Sequence, residues 1–154
     1  MTPFHSRQWS FQNVFAAVTL GSSLVAVVVL FFIADAWGEA PWLAWPTLAL
    51  LAATLVIPMS VEVGAHEVVV RLAGCTVRRI ELTDVLSAQR RPYRPLHDFG
   101  GWGLRWGMNS RNARAYTTTG STAVVLSLRD ASEVYLGVDD EQGLLDALSH
   151  RGIV

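Results

Sequence analysis

Residues 14–34 read VFAAVTLGSSLVAVVVLFFIA, and residues 42–59 read WLAWPTLALLAATLVIPM. Neither run carries a formally charged side chain, and only the short polar segment 35–41 separates them. About 20 apolar residues, each rising 1.5 Å, span a hydrocarbon core of ~30 Å, so each run is long enough to cross a bilayer as a helix. Because backbone groups in lipid must be hydrogen-bonded internally, the pattern predicts a two-helix transmembrane hairpin over residues 14–60.

Charge separates this hairpin from the rest of the chain. Of the 154 residues, 51% are hydrophobic and 16% are charged, whereas a globular domain usually has about 25% charged residues. The deficit lies in the first sixty residues, whose charged side chains are Arg7, Asp35 and Glu39. We therefore expect a cytoplasmic N-terminal tail over residues 1–13 and a soluble domain over residues 61–154, long enough for one small core.

Tryptophans mark the predicted membrane interfaces. The indole ring is apolar and its N–H is polar, so tryptophan favours the headgroup region. Candidate anchors at the ends of the two runs are Trp9, Trp37, Trp42 and Trp45. The connection 35–41 has two acids and no arginine, whereas arginines accumulate after residue 70, so the positive-inside rule places both termini in the cytoplasm of a two-pass cell-membrane protein. Mid-helix ionisable groups, which a transport path would need, are missing from both runs.

From Val61 onward, apolar residues alternate with polar ones, which is typical of strands. We predict about seven short antiparallel strands, a loop from Pro92 to Gly100 and a buried, inert thiol at Cys75. The segment that follows changes to a helical period. Asp139 and Gln142 have the spacing of a capping box, and Leu144, Leu145 and Leu148 form one apolar stripe. The soluble domain is therefore expected to be α+β, with a single closing helix.

Three segments carry a family resemblance: Ile80-Glu-Leu-Thr-Asp-Val85, the glycine motif Gly100-Gly101-Trp102-Gly103 with Leu104 and Arg105, and the strand order that leads to the leucine-rich helix. On these, residues ~61–151 resemble the pleckstrin-homology-like (PH-like) domains of small two-span bacterial membrane proteins of the actinobacterial type. The resemblance implies a bent seven-stranded antiparallel sandwich or barrel with one C-terminal helix. It also implies no enzymatic activity, although fold analogy by itself does not settle function.

Arginines are concentrated in one part of the soluble domain. Between Arg78 and Arg114 there are eight arginines and three acids, a net charge of +5, whereas residues 115–154 have two arginines and six acids, a net charge of −4. A cationic surface near a cytoplasmic leaflet attracts anionic lipid. The candidate lipid or partner surface is Arg90, Arg91, Arg94, Arg111 and Arg114. The alternative is that these arginines pair with the acidic half of the same domain.

Catalytic and cofactor patterns are weak in this sequence. The adjacent His97 and Asp98 are the one acid–base pair, and neighbouring loop residues rarely orient each other. The spacing of the histidines matches no metal site, and the glycine motif is not followed by the lysine and helix of a phosphate loop. We expect no cofactor, metal or nucleic-acid partner. The expected partners are the bilayer and another membrane protein or complex, and the oligomeric state is left open.

The function predicted from these features is a membrane-anchored interaction or scaffold module that is not an enzyme. Such a module could be an accessory subunit of a larger membrane complex. The alternative is a peripheral sensor that recognises anionic lipid through its arginine-rich surface.

Overall fold

The computed structural model describes residues 4–108 and 112–153, and the chain forms two compact units. One unit is the apolar segment Trp9–Ile57. The other joins the residues before Trp9 to those from Pro58 onward. The second unit is α+β, as expected, and the first contains an apolar helix near the N-terminus of the chain.

The apolar unit contains helices α1 (Val14–Ile33), α2 (Ala36–Glu39) and α3 (Pro41–Leu55). Asn13 caps α1 by accepting a hydrogen bond from the Ala16 N–H at 3.1 Å, which satisfies one of the free donors of the first turn. An 18-residue stretch of α1 has a mean hydropathy of 2.5, and none of the 20 residues of the helix is buried, so α1 is long and apolar enough to cross a membrane.

Helix α3 is shorter than the sequence pattern suggested. Its 15 residues rise about 22 Å, which is less than the ~30 Å of a hydrocarbon core. Helix α3 begins at Pro41, and a second proline, Pro46, is inside the helix. Proline has no N–H to donate, so the helix loses one backbone hydrogen bond at this position.

The second unit has two sheets. The four-stranded sheet has the order β1-β2-β3-β4, and the five-stranded sheet has the order β5-β8-β9-β7-β6. The strands are β1 (Phe4–Trp9), β2 (Pro58–Val63), β3 (Glu67–Leu72), β4 (Cys75–Glu81), β5 (Val85–Pro92), β6 (Gly103–Trp106), β7 (Ala113–Thr117), β8 (Thr122–Leu128) and β9 (Glu133–Leu136). Among the described residues of this unit, the two α-helices are α4 (Pro95–Phe99) and α5 (Glu141–Ser149), and a 3-10 helix spans Leu82–Asp84.

This topology departs from the expected seven antiparallel strands in two ways. The described residues form nine strands, and β7 pairs with β9 in parallel, with Tyr116 opposite Leu136. The chain turns at Gly120 between β7 and β8, but these two strands do not pair with each other. Strand β8 pairs with β5 and β9, and β9 lies between β8 and β7, which makes β7 and β9 parallel. The segment expected to be an N-terminal tail contains β1, an edge strand of the four-stranded sheet.

The main core contains side chains from both sheets and from α5. Strand alternation places one face of each strand inward, so β2 contributes Val61 and Val63 while β8 contributes Val124 and Leu126. The leucine stripe of α5 packs against them, with Leu144 and Leu148 fully buried. Leu145 of the same stripe is partly buried against this core.

Three local predictions were wrong. Cys75 is exposed rather than buried, since it begins the edge strand β4, whose first three residues lie outside the core. The predicted loop between Pro92 and Gly100 contains helix α4, which has a proline at its first position. The N-cap of α5 is Asp140, one residue after the predicted position. Its carboxylate accepts from the Gly143 N–H at 2.8 Å.

Candidate functional site

Three of the five arginines proposed as a lipid or partner surface are ion-paired within their own unit. Arg90 of β5 contacts the Glu141 carboxylate at the start of α5. The Arg91 guanidinium lies 2.9 Å from the Glu133 carboxylate of β9. Arg94 and Asp98, one helical turn apart, are 4.0 Å from each other.

Two arginines of the proposed set are not part of these pairs. Arg114 is exposed on β7 and forms no ion pair with any residue in 4–108 or 112–153. Arg111 lies outside the described residues. Because Glu133 and Glu141 belong to the acidic half of the domain, Arg90 and Arg91 follow the alternative interpretation, in which that half neutralises them.

Arg91 also takes part in a small network on the outer face of the five-stranded sheet. The Tyr135 hydroxyl donates to Glu133 at 3.1 Å and accepts from Arg91 at 3.4 Å. The hydrogen bond to Glu133 raises the pKa of Arg91 above its ordinary value, and burial raises the pKa of Tyr135. The network holds β5 and β9 together on either side of β8, so we assign these charges a structural role.

An aromatic cluster lies next to this network. The ring centroids of Tyr93 and Phe99 are each within 6 Å of Tyr135, at 5.9 and 5.0 Å. The hydroxyl groups of Tyr93 and Thr117 are buried and have no hydrogen-bond partner among the described residues. Burial raises the pKa of Tyr93. The cluster is a second, smaller core that fixes α4 against the sheet.

The glycine motif forms the turn between α4 and β6. Gly100, Gly101 and Gly103 have φ angles of 71°, 128° and 106°, a backbone region that favours glycine. The Gly100 N–H closes α4 by donating to the Leu96 carbonyl at 3.1 Å. Trp102 donates its indole N–H to the Gly120 carbonyl at 2.8 Å, so the motif ties this turn to the β7–β8 turn. The motif is therefore structural.

Strand β6 presents apolar side chains to solvent. Leu104 and Trp106 of this strand are 40% and 64% exposed, and Met108, two residues after it, is 69% exposed. β6 is an edge strand, and in its register with β7, Leu104 lies opposite Tyr116 and Trp106 lies opposite Arg114. Opposed residues of an antiparallel pair project from the same face, so Leu104, Trp106 and Arg114 share one face at the margin of the sheet.

The acid–base pair noted in the sequence is in contact but is exposed. His97 Nδ1 and Asp98 Oδ1 are 2.9 Å apart. The Arg94 backbone N–H, and after it the His97 ring, hold the pKa of Asp98 below its ordinary value of 3.8. A general base near neutral pH needs the opposite shift. The Asp98 carboxylate accepts the Arg94 backbone N–H at 2.8 Å, and this bond joins Asp98 to the start of α4.

A cavity of about 620 Å³ lies between β1 and α5 and is lined by both basic and acidic side chains. Three residues of this lining, Asp139, Asp140 and His150, have partners within the unit. Gln8 donates to Asp139 at 2.6 Å, and the His150 ring lies 2.6 Å from the Asp146 carbonyl. Within residues 4–108 and 112–153, no three His, Cys, Asp or Glu side chains are placed to bind a metal ion.

The four candidate membrane anchors all lie in the apolar unit. Trp42 and Trp45 are 74% and 65% exposed, and the Trp45 ring packs edge-on against Trp37 with centroids 5.2 Å apart. Trp9 stacks on Phe11 at 6.1 Å. These aromatic rings are at the two ends of α1 and at the start of α3, as an interfacial role would require.

Sequence reasoning left Trp106 as either a core or a membrane-facing aromatic residue and assigned no binding role to Leu104. Leu104 and Trp106 have the parity of one strand face, which was visible in the sequence, but their exposure was not. The chain matches no protein-family model, no curated protein and no solved structure.

Proposed function

We propose that this protein is a membrane-anchored, non-catalytic interaction module, in which a two-span hairpin holds a PH-like domain at the cytoplasmic face of the cell membrane. The observation that carries the proposal is helix α1, whose 20 uncharged residues are all at least partly exposed within the structure. A continuous apolar surface of that size is costly in water and favourable in hydrocarbon.

The pairing of β1 with β2 supports two crossings rather than one. β1 precedes α1, β2 follows α3, and the two strands are neighbours in one sheet. Residues on both sides of the apolar unit must therefore be on the same side of a membrane. If α1 crosses, the chain must cross back before Pro58, and the segment available for this is α3 with its flanking residues.

The short length of α3 is compatible with a second crossing. Its flanking residues Val56 and Ile57 are apolar, and bilayers thin locally around a short span at modest cost. The apolar unit is closed at its base by Ser10, whose N–H and hydroxyl both donate to the Ile57 carbonyl, at 3.3 and 3.1 Å. The two ends of the hairpin are therefore held together, as a two-pass anchor requires.

An interaction role is supported by open sheet edges in the soluble unit. β4 and β5 are edge strands of seven and eight residues in the described structure. An extended peptide can add to such an edge through backbone hydrogen bonds. A permanent partner would make the protein an accessory subunit of a membrane complex.

A first experiment tests the anchor through the single cysteine. Cys75 is exposed, so a membrane-impermeant maleimide should label it only after sealed, right-side-out vesicles are permeabilised. A Cys75→Ser/Glu39→Cys variant moves the thiol to the exposed end of α2 and should be labelled without permeabilisation. Equal labelling of both thiols on one side would refute the two-span arrangement.

A second experiment tests the interaction role. A photo-crosslinking amino acid replaces the exposed Gln89 of β5, or Glu39 as the control position. The protein is then crosslinked in its membranes. We expect one crosslinked species of defined mass from position 89 and not from position 39. If no position along β4 or β5 gives such a species, the interaction role is refuted.

A further inference from the structure

The exposed face of β6 has a composition unusual for the surface of the soluble unit. Leu104 and Trp106 are exposed at alternate positions of β6, and Arg114 lies opposite Trp106 on the same face. Met108, two residues after the end of β6, is also exposed. An apolar group that includes tryptophan, with arginine beside it, is typical of side chains at a membrane–water interface.

The charge of this face is not neutralised. Strands β6 and β7, Gly103–Trp106 and Ala113–Thr117, contain no acid, and Arg114 has no ion pair among the described residues. This distinguishes it from Arg90 and Arg91, whose charges are satisfied by glutamates. The free charge is complementary to anionic headgroups.

The face also begins near the point where the chain leaves the soluble unit. Gly103 of β6 lies opposite Thr117, and the hydroxyl of the next residue, Thr118, is 3.8 Å from the Met59 sulfur. Met59 follows Pro58, the first residue after the apolar segment. At ~3.3 Å per residue, Trp106 is about 10 Å further along β6 than Gly103.

The small size of the face favours a lipid surface over a protein. Three side chains bury a few hundred Å² at most, whereas a stable protein interface needs about 800 Å² from each partner. A weak surface is sufficient when its target is tethered to the same molecule, because the contact is then intramolecular.

We propose that Leu104, Trp106, Met108 and Arg114 form a membrane-contact face that lies on the anionic leaflet in which the chain is anchored. The three apolar side chains enter the interfacial region, and the Arg114 guanidinium binds lipid phosphate. This inference rests on the proposed anchor, and it identifies the lipid-facing surface as β6 rather than the ion-paired arginines of β5.

The test uses the full chain, reconstituted into vesicles with and without 30% anionic phosphatidylglycerol. An environment-sensitive NBD label is attached at position 108 in a Cys75→Ser/Met108→Cys variant. The control label is at position 65 in a Cys75→Ser/Ala65→Cys variant, since Ala65 is exposed in the turn at the other end of β2 from Pro58. Doxyl lipids report contact with the bilayer, and iodide reports contact with water.

We expect doxyl lipids to quench the label at position 108 in anionic vesicles and to leave the label at position 65 unquenched. Arg114→Gln should lower the equilibrium constant for contact between this face and the bilayer about fivefold. Trp106→Ala should lower it about tenfold or more. Arg105→Gln is the matched control: Arg105 is exposed on the opposite face of the same strand, so this variant should change the equilibrium less than twofold. Thermal unfolding of each variant verifies that it is folded.

Three results would overturn the inference. One is a label at position 108 that stays unquenched in chains that resist alkaline extraction, a result that leaves the anchor intact. Another is that Arg105→Gln and Arg114→Gln lower the equilibrium of membrane contact by the same factor. A third is shielding from iodide without lipid quenching, which would mean that a protein covers the face. Release of the wild-type chain by alkali would instead refute the proposed anchor.

Discussion

Two arginines placed in the middle of α1 should release the protein from the membrane. Val25 is 63% exposed and Ala26 is also exposed, and they are the twelfth and thirteenth residues of the 20-residue helix. Neither side chain supports a core, so a Val25→Arg/Ala26→Arg double variant changes the solvation of the helix without disrupting packing.

The magnitude follows from the composition of α1. It contains 13 Leu, Ile, Val and Phe residues. At ~0.3–0.6 kcal/mol each these favour insertion by roughly 4–8 kcal/mol in total. Arginine at the centre of a span opposes insertion by ~2.5–3.5 kcal/mol, so two arginines cost about 5–7 kcal/mol. A single Val25→Arg change should weaken insertion, and the pair should remove most of its driving force.

The assay is flotation of membranes after an alkaline wash, with the fraction of chain that floats measured by immunoblot. A Leu86→Arg/Leu96→Arg variant is the matched control, because it adds the same charge at residues that are 60% and 57% exposed in the soluble unit. We expect the wild-type and control chains to float and the α1 double variant to stay in the dense fraction. If the double variant floats as completely as wild type, α1 is not a membrane span and the reasoning is refuted.

Three further predictions concern the soluble unit, measured by thermal unfolding of the full chain in mild detergent. Gly137→Ala should destabilise it by about 1–3 kcal/mol, because the new Cβ would lie 3.0 Å from the Thr117 backbone, and an unchanged midpoint would contradict this packing. Asp140→Ala should cost about 1 kcal/mol through loss of the α5 cap, whereas Asp140→Ser should retain most of the stability, and equal losses would rule out the cap. Burial raises the pKa of Tyr93 above 10.0, so the folded state favours the neutral phenol. Its contribution to stability should be complete below pH 10 and decline as pH rises toward the folded-state pKa, a dependence that Tyr93→Phe should weaken.

Local patterns predicted most individual elements of the fold. The alternation in Glu67–Leu72 and in residues 123–128 identified β3 and β8, and the leucine spacing identified α5. The apolar run 14–34 corresponds to α1 within one residue. These predictions succeeded because the side-chain period of a strand or helix is a property of neighbouring residues.

The pairing between elements could not be predicted in the same way. Nothing local in Ala113–Thr117 distinguishes a parallel partner from an antiparallel one, so the pairing of β7 with β9 was missed. Likewise, residues 4–9 contain too little pattern to show that they join the sheet as β1. The exposure of Cys75 depended on β4 being an edge strand, which is a property of the whole sheet.

The candidate sites show the same division. Sequence counts identified a basic segment and an acidic one, but only the fold places Glu141 against Arg90 and Glu133 against Arg91. The parity of Leu104 and Trp106 was visible in the sequence, whereas their exposure follows from the position of β6 at the margin of its sheet.

The amino-acid order by itself determined the long uncharged helix and the change to a strand period after residue 60, because both depend on side chains close together in the chain. Only the tertiary structure decided which charges are neutralised, which thiol and aromatic rings meet solvent, and that residues on both sides of the apolar segment share one sheet. Those properties depend on contacts between residues far apart in sequence, and a one-dimensional pattern carries no record of which distant strands become neighbours.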